Sequence, residues 1–346
     1  MFFTWTVSIS CFLYQRRGGY VFKCINEQVT EYKQCPLTPM TSLFSRFPNE
    51  LLALVIILCD WRSLGHLYKL DDRLDTVIRA HLFQRVQRRL AIFVPVSLQF
   101  SFWQCLDVNR GCIFGGVARI TIAGDHSAYD SAYPRQLDLM FSSHSPIAIE
   151  RMGRLLRKAG YLAGEVVSTG RYYRGEVVRA MKFMHATSQM LSICVLQSSS
   201  PSLLRPILKS PHTSMHNILT ASNSYSFYPR LLDRHISVAS SSRFVGVPSF
   251  LYNFGLTTYG LNQLLDINVA NDLHTEICGL TYRQTFNLPG VEVVEWGHPN
   301  QWPGVEEGLE WQNDGFGEEN HMWRIGTECF CSSCDYQLLP LSVQDI

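Results

Sequence analysis

An uninterrupted apolar segment, residues 51–58, constrains the fold of this chain more than any other feature. It follows Pro48 and Glu50, which favour a helix start because Pro there loses no hydrogen bond and Glu50 lies near the positive end of the helix dipole. The sequence therefore predicts a helix that is apolar on nearly all sides. A small helical module cannot cover such a helix by itself, so we expect it to need a partner surface.

Two further helices are predicted directly after this segment. Asp60 can cap a short helix with leucines at three-residue spacing, and Asp71 and Asp72 can cap a third helix. Together they predict a compact helical module over residues 43–90. Arginines follow along the third helix, but they have no interleaved aromatic residues, so we interpret them as a solvated face and expect no nucleic-acid binding.

The order of residues in this module resembles an F-box. Residues 47–52 read Phe-Pro-Asn-Glu-Leu-Leu, and residues 61–64 read Trp-Arg-Ser-Leu after the apolar helix. The resemblance covers about 45 residues. Phe47 stands where the family usually has Leu, and residues 70–73, Leu-Asp-Asp-Arg, replace the Val-Cys-Arg segment of many members.

In the F-box family this segment docks on a Skp-family adaptor, which links the protein to a cullin ubiquitin ligase. The resemblance implies a partner-binding surface made of Phe47, Pro48, Glu50, Leu51, Leu52, Leu54, Val55, Leu58, Trp61 and Leu64. The alternative is an ordinary helical cap whose apolar residues pack on the next domain.

Residues 98–346 are predicted to form one α/β domain with an irregular C-terminal part, which gives the chain an α+β fold class. Periodicity and turn residues predict helices over residues 99–107, 117–122 and 146–156, and strands over residues 112–114, 136–141, 162–167, 177–184 and 190–196. Ser145 is the expected cap of the third helix, with Pro146 at its first position and Gly160 at its end. The acidic, Trp-rich residues 284–323 suit an irregular loop that buries aromatic side chains, or a protein-binding edge.

This second domain resembles a nucleotidyltransferase-like domain, in which a Gly-Gly strand end is followed by a strand bearing Asp-x-Asp. Gly115 and Gly116 match the glycines and Asp138 matches the second carboxylate, but Gln136 stands in place of the first. The family's paired carboxylates hold magnesium, so a neutral amide is expected to cost most of the metal affinity. We predict a degenerate, non-catalytic domain without a cofactor. The pairing of F-box-like and degenerate domains resembles proteins of mushroom-forming fungi.

The alternative is a magnesium-dependent nucleotidyltransferase-type enzyme, or a nucleotide-binding protein, that uses Asp138. Asp125 or Asp130, in the loop between the glycines and Asp138, would then supply the missing acid.

The cysteines offer one weak metal candidate near the C-terminus. Cys329, Cys331 and Cys334 are spaced so that they can reach one zinc ion, with the remaining ligand drawn from Cys278, His274 or His321. Buried or idle thiols are the favoured interpretation, because structural zinc sites usually present two separated ligand pairs. No metal is therefore predicted.

Composition narrows the possible partners and location. The formal net charge is +1 and charged residues make up 17% of the 346 residues, so no global electrostatic attraction to nucleic acid or membrane is expected. The 11 Cys are too dilute for a disulfide-stapled miniprotein, and the longest apolar run is too short to span a membrane. We expect a cytoplasmic or nuclear protein with an unknown protein target. Residues 1–39 are expected to form a poorly structured extension before the helical module.

Overall fold

A computed structural model describes most of the chain between residues 47 and 239 and parts of the remainder. The described residues are 11–16, 19–24, 47–59, 61–67, 72–123, 134–168, 175–188, 190–239, 257–259, 283–284, 291–302, 305, 310, 311, 316, 322 and 323. The chain divides into two units, residues 1–42 and residues 43–346.

The first unit contains an antiparallel hairpin of strands β1 (Cys11–Arg16) and β2 (Gly19–Cys24), in which Cys11 is the partner of Cys24. The predicted extension over residues 1–39 thus includes a hairpin that the sequence pattern did not suggest.

Four helices open the second unit. They are α1 (Asn49–Leu58), α2 (Trp61–Leu67), α3 (Asp72–Leu90) and α4 (Val96–Val108). Pro48 precedes α1, and its carbonyl accepts the Leu52 N–H at 3.1 Å. Helix α1 packs on α3, and α3 in turn contacts α4. The predicted helices over residues 51–58 and 99–107 are therefore present.

An eight-stranded mixed sheet forms the centre of the second unit, with the strand order β13-β9-β8-β3-β4-β7-β6-β5. Its strands are β3 (Gly111–Phe114), β4 (Gln136–Phe141), β5 (Glu165–Val166), β6 (Val177–Met184), β7 (Ser192–Ser198), β8 (Asn217–Leu219), β9 (Asn223–Ser226) and β13 (Glu292–Glu295). Only the β4–β7 pair is parallel; every other neighbouring pair is antiparallel.

Shorter elements complete the described residues. They are helices α5 (Gly116–Ala123), α6 (Ala148–Lys158), α7 (Leu204–Leu208) and α8 (Pro229–Asp233), a parallel pair of β10 (Ile236–Val238) with β11 (Thr257–Tyr259), and an antiparallel pair of β12 (Arg283–Gln284) with β14 (Met322–Trp323). The α+β class is confirmed. None of the helices in the described ranges has the length and apolar character needed to cross a membrane.

The strands over residues 136–141 and 177–184 lie where they were predicted, whereas three other expectations need correction. Helix α6 begins at Ala148 and not at Pro146, because Ser145 forms a turn whose carbonyl accepts the Ala148 N–H, and no side chain caps this helix. The strand predicted over residues 162–167 is reduced to the two residues of β5. The C-terminal part expected to be irregular contributes β13, which pairs with β9.

The sheet has an apolar core on each face. On one face lie side chains of α1–α6, including Leu52, Ile56 and Trp103, with Trp296 and Trp302 from the C-terminal part. On the other face lie side chains of α7, α8 and β10. Trp296 and Trp302 are buried, which agrees with the prediction that the C-terminal part buries aromatic side chains.

Helices α2 and α3 lie against the edge strand β13, so the helical module predicted over residues 43–90 and the α/β domain share one core. A Cβ atom on Gly65 of α2 would lie 2.8 Å from Val294 Cγ2, which shows how closely helix and strand approach. Arg79 of α3 donates to Asp75 on its own helix and to Glu295 of β13. Helices α2 and α3 therefore pack on side chains of the edge strand β13.

Candidate functional site

Helix α1 buries one side and exposes another, although both are apolar. Leu52 is 1% exposed and packs in the core together with Ile56, four residues later. Leu51, Leu54, Val55 and Leu58 are exposed, and we call these four residues the α1 stripe. Their spacing of three, four and seven residues places them on one side of the helix, turned away from Leu52 and Ile56.

The α1 stripe is an unusual surface for a folded chain. Leu54 is 58% exposed and Leu58 is 74% exposed, and Phe47 lies just before the helix with its side chain also exposed. Single exposed apolar residues are common on folded chains, whereas several adjacent ones on one helix are not.

The start of α1 is held in place by Arg73 of α3. Its Nη2 donates to the Phe47 carbonyl at 2.7 Å and to Asn49 Oδ1 at 2.6 Å, and its Nε donates to the same Oδ1 at 2.9 Å. These three hydrogen bonds position the first turn of α1.

The partner-binding residues predicted from sequence divide into three groups. Phe47, Pro48, Glu50, Leu51, Leu54, Val55 and Leu58 are exposed. Leu52 and Leu64 are buried in the core of this chain, so they do not belong to an exposed surface. The backbone of Trp61 begins α2, but its side chain lies outside the described residues.

The structure brings together the glycine pair and the acid of the second predicted site. Phe114 is the register partner of Asp138, and Gly115 follows at the end of β3. Gly115 has φ +73°, a conformation that favours glycine. A Cβ atom there would lie 2.8 Å from Cε of the flexible Met215 side chain and 3.5 Å from Asp138 Oδ2, an ordinary contact, so it is the positive φ that favours glycine beside the carboxylate.

Gln136 is fixed between two neighbours. Its Nε2 donates to Asp138 Oδ1 at 2.6 Å, and its Oε1 accepts from Ser192 Oγ at 3.5 Å. With this assignment of the amide, Gln136 presents a donor to the carboxylate and turns its oxygen towards β7. Gln136 thus acts as a hydrogen-bond donor to Asp138.

Two residues that the sequence did not indicate belong to this site. Cys194 on β7 is the register partner of Asp138, and Lys182 on β6 is the register partner of Cys194. Burial raises the pKa of Asp138 to about 6, while the Gln136 hydrogen bond and the Lys182 charge lower it. Burial raises the pKa of Cys194 to about 12, so this thiol is protonated and a poor nucleophile near neutral pH. Only the order of strands in the sheet reveals these neighbours.

The described residues at this site do not fit a magnesium ion. Magnesium prefers several charged oxygen ligands, whereas Gln136 offers its N–H groups to Asp138, which is the single carboxylate at this position. Asp125 and Asp130 lie outside the described residues. In the part of the chain that the structure describes, no group of three or more His, Cys, Asp or Glu side chains is arranged to hold a metal. Cys329, Cys331 and Cys334 also lie outside this part, as do Cys278, His274 and His321.

We expect Asp138→Asn to stabilise the chain more at pH 7.5 than at pH 4. Because burial raises the pKa of Asp138 to about 6, the folded chain keeps this proton at pH values where the unfolded chain has lost it. Wild-type stability therefore falls as the pH rises towards 6. Asn cannot ionise and avoids this loss, which we expect to be about 1 kcal/mol for a half-buried group.

Urea unfolding of both chains at the two pH values measures this effect, and the difference between the chains cancels the contributions of other titrating groups. An equal difference at pH 4 and pH 7.5 would show that Asp138 has an ordinary pKa.

Comparison with known proteins gives no relative. No family model, no curated protein and no solved structure matches the chain.

Proposed function

We propose that this protein is an F-box-like adaptor that binds a Skp-family protein through the α1 stripe and so links an unknown protein target to a cullin-type ubiquitin ligase. The observation that carries the proposal is the exposure of Leu51, Leu54, Val55 and Leu58 on a helix whose opposite side is buried in this chain. The F-box-like order of residues 47–52 supplies the class of partner.

The spacing of the α1 stripe suits a helix that binds in an apolar groove of a partner protein. Anchors at spacings of three, four and seven residues are typical of helices that bind in grooves of partner proteins. Leu52 and Ile56 fix α1 to this chain, so the stripe is presented without unfolding the helix. Binding then carries no free-energy cost of ordering this helix, because α1 is already held by α3 and by the Arg73 contacts.

The remainder of the second unit then presents a surface to the target. We assign it no catalytic role, because the described residues at Asp138 lack the paired carboxylates on which the related chemistry depends. An adaptor of a cullin ligase acts in the cytoplasm or the nucleus.

Binding of the full chain to a purified Skp-family adaptor tests the proposal. We expect Leu54→Glu combined with Leu58→Glu to weaken binding by roughly 100-fold. Each substitution places a charge where an apolar side chain would be buried in the complex, and we expect each to cost about 1.4 kcal/mol, which is a factor of ten in affinity. Both side chains are exposed in the free chain, so the substitutions are expected to leave the urea midpoint unchanged.

A matched control places glutamate at two other exposed apolar residues, Val96 at the start of α4 and Val166 in β5. This variant is expected to bind as the wild type does. The proposal is wrong if the wild-type chain does not bind the adaptor, or if the Leu54 and Leu58 variant binds as tightly as the control.

A further inference from the structure

A row of polar side chains crosses three strands of the sheet beside the Gly115 turn. Asp138 on β4 is paired with Cys194 on β7, and Cys194 is paired with Lys182 on β6. Paired residues on adjacent strands point to the same face of a sheet, so the three side chains stand side by side. The row lies on the face opposite the helices α1–α6, because Leu137 and Leu139 next to Asp138 point into the helical core.

The ammonium group of Lys182 acts on the other two residues of this row. Its charge lowers the pKa of Asp138 and that of Cys194. Lys182 is half-buried, so its field is screened less than that of a surface lysine. The register continues to Glu165 on β5, which is exposed and therefore attracts Lys182 only weakly through solvent.

Three features of this row oppose a divalent cation. Asp138 is the single carboxylate among the three residues, its Oδ1 accepts the Gln136 amide at 2.6 Å, and Lys182 places a positive charge on the same face, one strand beyond Cys194. A divalent cation at Asp138 would be repelled by Lys182 and would also have to displace the amide hydrogen bond. The amide at Gln136 in place of an acid is therefore not the only feature that disfavours magnesium here.

We infer that the charge of Lys182, on the same face of the sheet and one strand beyond Cys194, disfavours a divalent cation at Asp138, so that the described residues of this row do not accept Mg²⁺ or Mn²⁺. Restoring the missing carboxylate alone does not then restore metal binding, because the lysine charge remains. The inference concerns the α/β part of the chain and does not depend on the α1 stripe.

Manganese binding to the full chain, followed by electron paramagnetic resonance, tests this inference, since Mn²⁺ takes the same oxygen ligands as Mg²⁺. We expect the wild type to show no site at about 1 mM Mn²⁺, and Gln136→Asp alone to remain weak. Adding Lys182→Met to Gln136→Asp is expected to tighten Mn²⁺ binding by roughly tenfold or more, because the repelling charge is gone while both carboxylates are present.

The matched control adds Lys158→Met to Gln136→Asp. Lys158 is exposed at the end of α6, and its removal changes net charge by the same amount without touching the row. This control is expected to bind Mn²⁺ no better than Gln136→Asp alone. Thermal melts establish that each variant is folded, and Lys182→Gln replaces Lys182→Met if the methionine variant is not.

Two results would overturn the inference. One is tight Mn²⁺ binding by the wild type that disappears in Asp138→Ala, which would mean that carboxylates from elsewhere complete a metal site. The other is equal binding by Gln136→Asp with and without Lys182, which would show that the lysine charge does not act on this site.

Discussion

Replacing Trp103 with alanine is expected to lower the free energy of unfolding by about 3 to 5 kcal/mol, the usual cost of removing a large buried aromatic side chain. Trp103 lies in α4 and has no exposed surface. Its ring meets Phe102 edge-on at 5.5 Å between centroids and Trp296 at 5.0 Å. The substitution thus removes contacts within α4 and between α4 and the segment that follows β13. Urea unfolding of the full chain measures the change.

Two further variants identify the source of this loss. Trp103→Phe keeps an aromatic ring and removes Nε1, which has no hydrogen-bond partner in the described part of the chain, so we expect it to cost less than half as much. Val108→Ala, on the same helix but 49% exposed, is expected to change stability by less than about 0.5 kcal/mol. Equal instability of the three variants would contradict ring packing as the source of the loss, since only Trp103→Ala removes the ring.

Gly297→Ala is expected to destabilise the chain by about 3 kcal/mol or more, at the upper end of the cost of overpacking. A Cβ atom on Gly297 would overlap the Ala221 carbonyl oxygen and lie 3.1 Å from its carbonyl carbon. These are backbone atoms of the turn between β8 and β9, so no side-chain rotation relieves the contact. The N–H groups of Trp296 and Gly297 both donate to the Ser222 carbonyl, which fixes the two segments against each other.

Gly116→Ala is the matched control for this substitution. A Cβ atom at Gly116 would lie 3.8 Å from the nearest atoms of Pro134, an ordinary contact, and the residue begins helix α5, where alanine is favourable. We expect no loss of stability. Melting of the Gly297 variant at the wild-type temperature would contradict the close approach of residues 221 and 297.

The apolar character of α1 was predictable from sequence, but the direction in which each side chain points was not. Residues 51–58 are all apolar, so no periodicity distinguishes the buried side of Leu52 and Ile56 from the exposed side of Leu54 and Leu58. The choice is made by contact with α3 and with the core beyond it. The sequence predicted that α1 needs a partner surface. This chain supplies that surface for Leu52 and Ile56, whereas the α1 stripe stays exposed.

The site around Asp138 was predictable only in part, for a similar reason. Alternation in residues 136–141 predicts β4 and places Gln136 and Asp138 on one face, because side-chain direction within a strand is a local property. Lys182 becomes a neighbour of this site through the order β4-β7-β6, which is a property of the whole sheet. Strand β13 was missed because two glutamates flank its two valines, and its pairing with β9 involves a distant part of the chain.

The docking of the first helices on β13 sets the order in which the chain can fold during synthesis. Arg79 and Glu295 are separated by 216 positions, so at ribosomal rates of about 5 to 20 residues per second the helices wait roughly 10 to 40 seconds for the strand that covers them. During this interval the side of α2 that meets Val294 stays open to water. The growing chain therefore has apolar helix surface that its own core cannot yet cover.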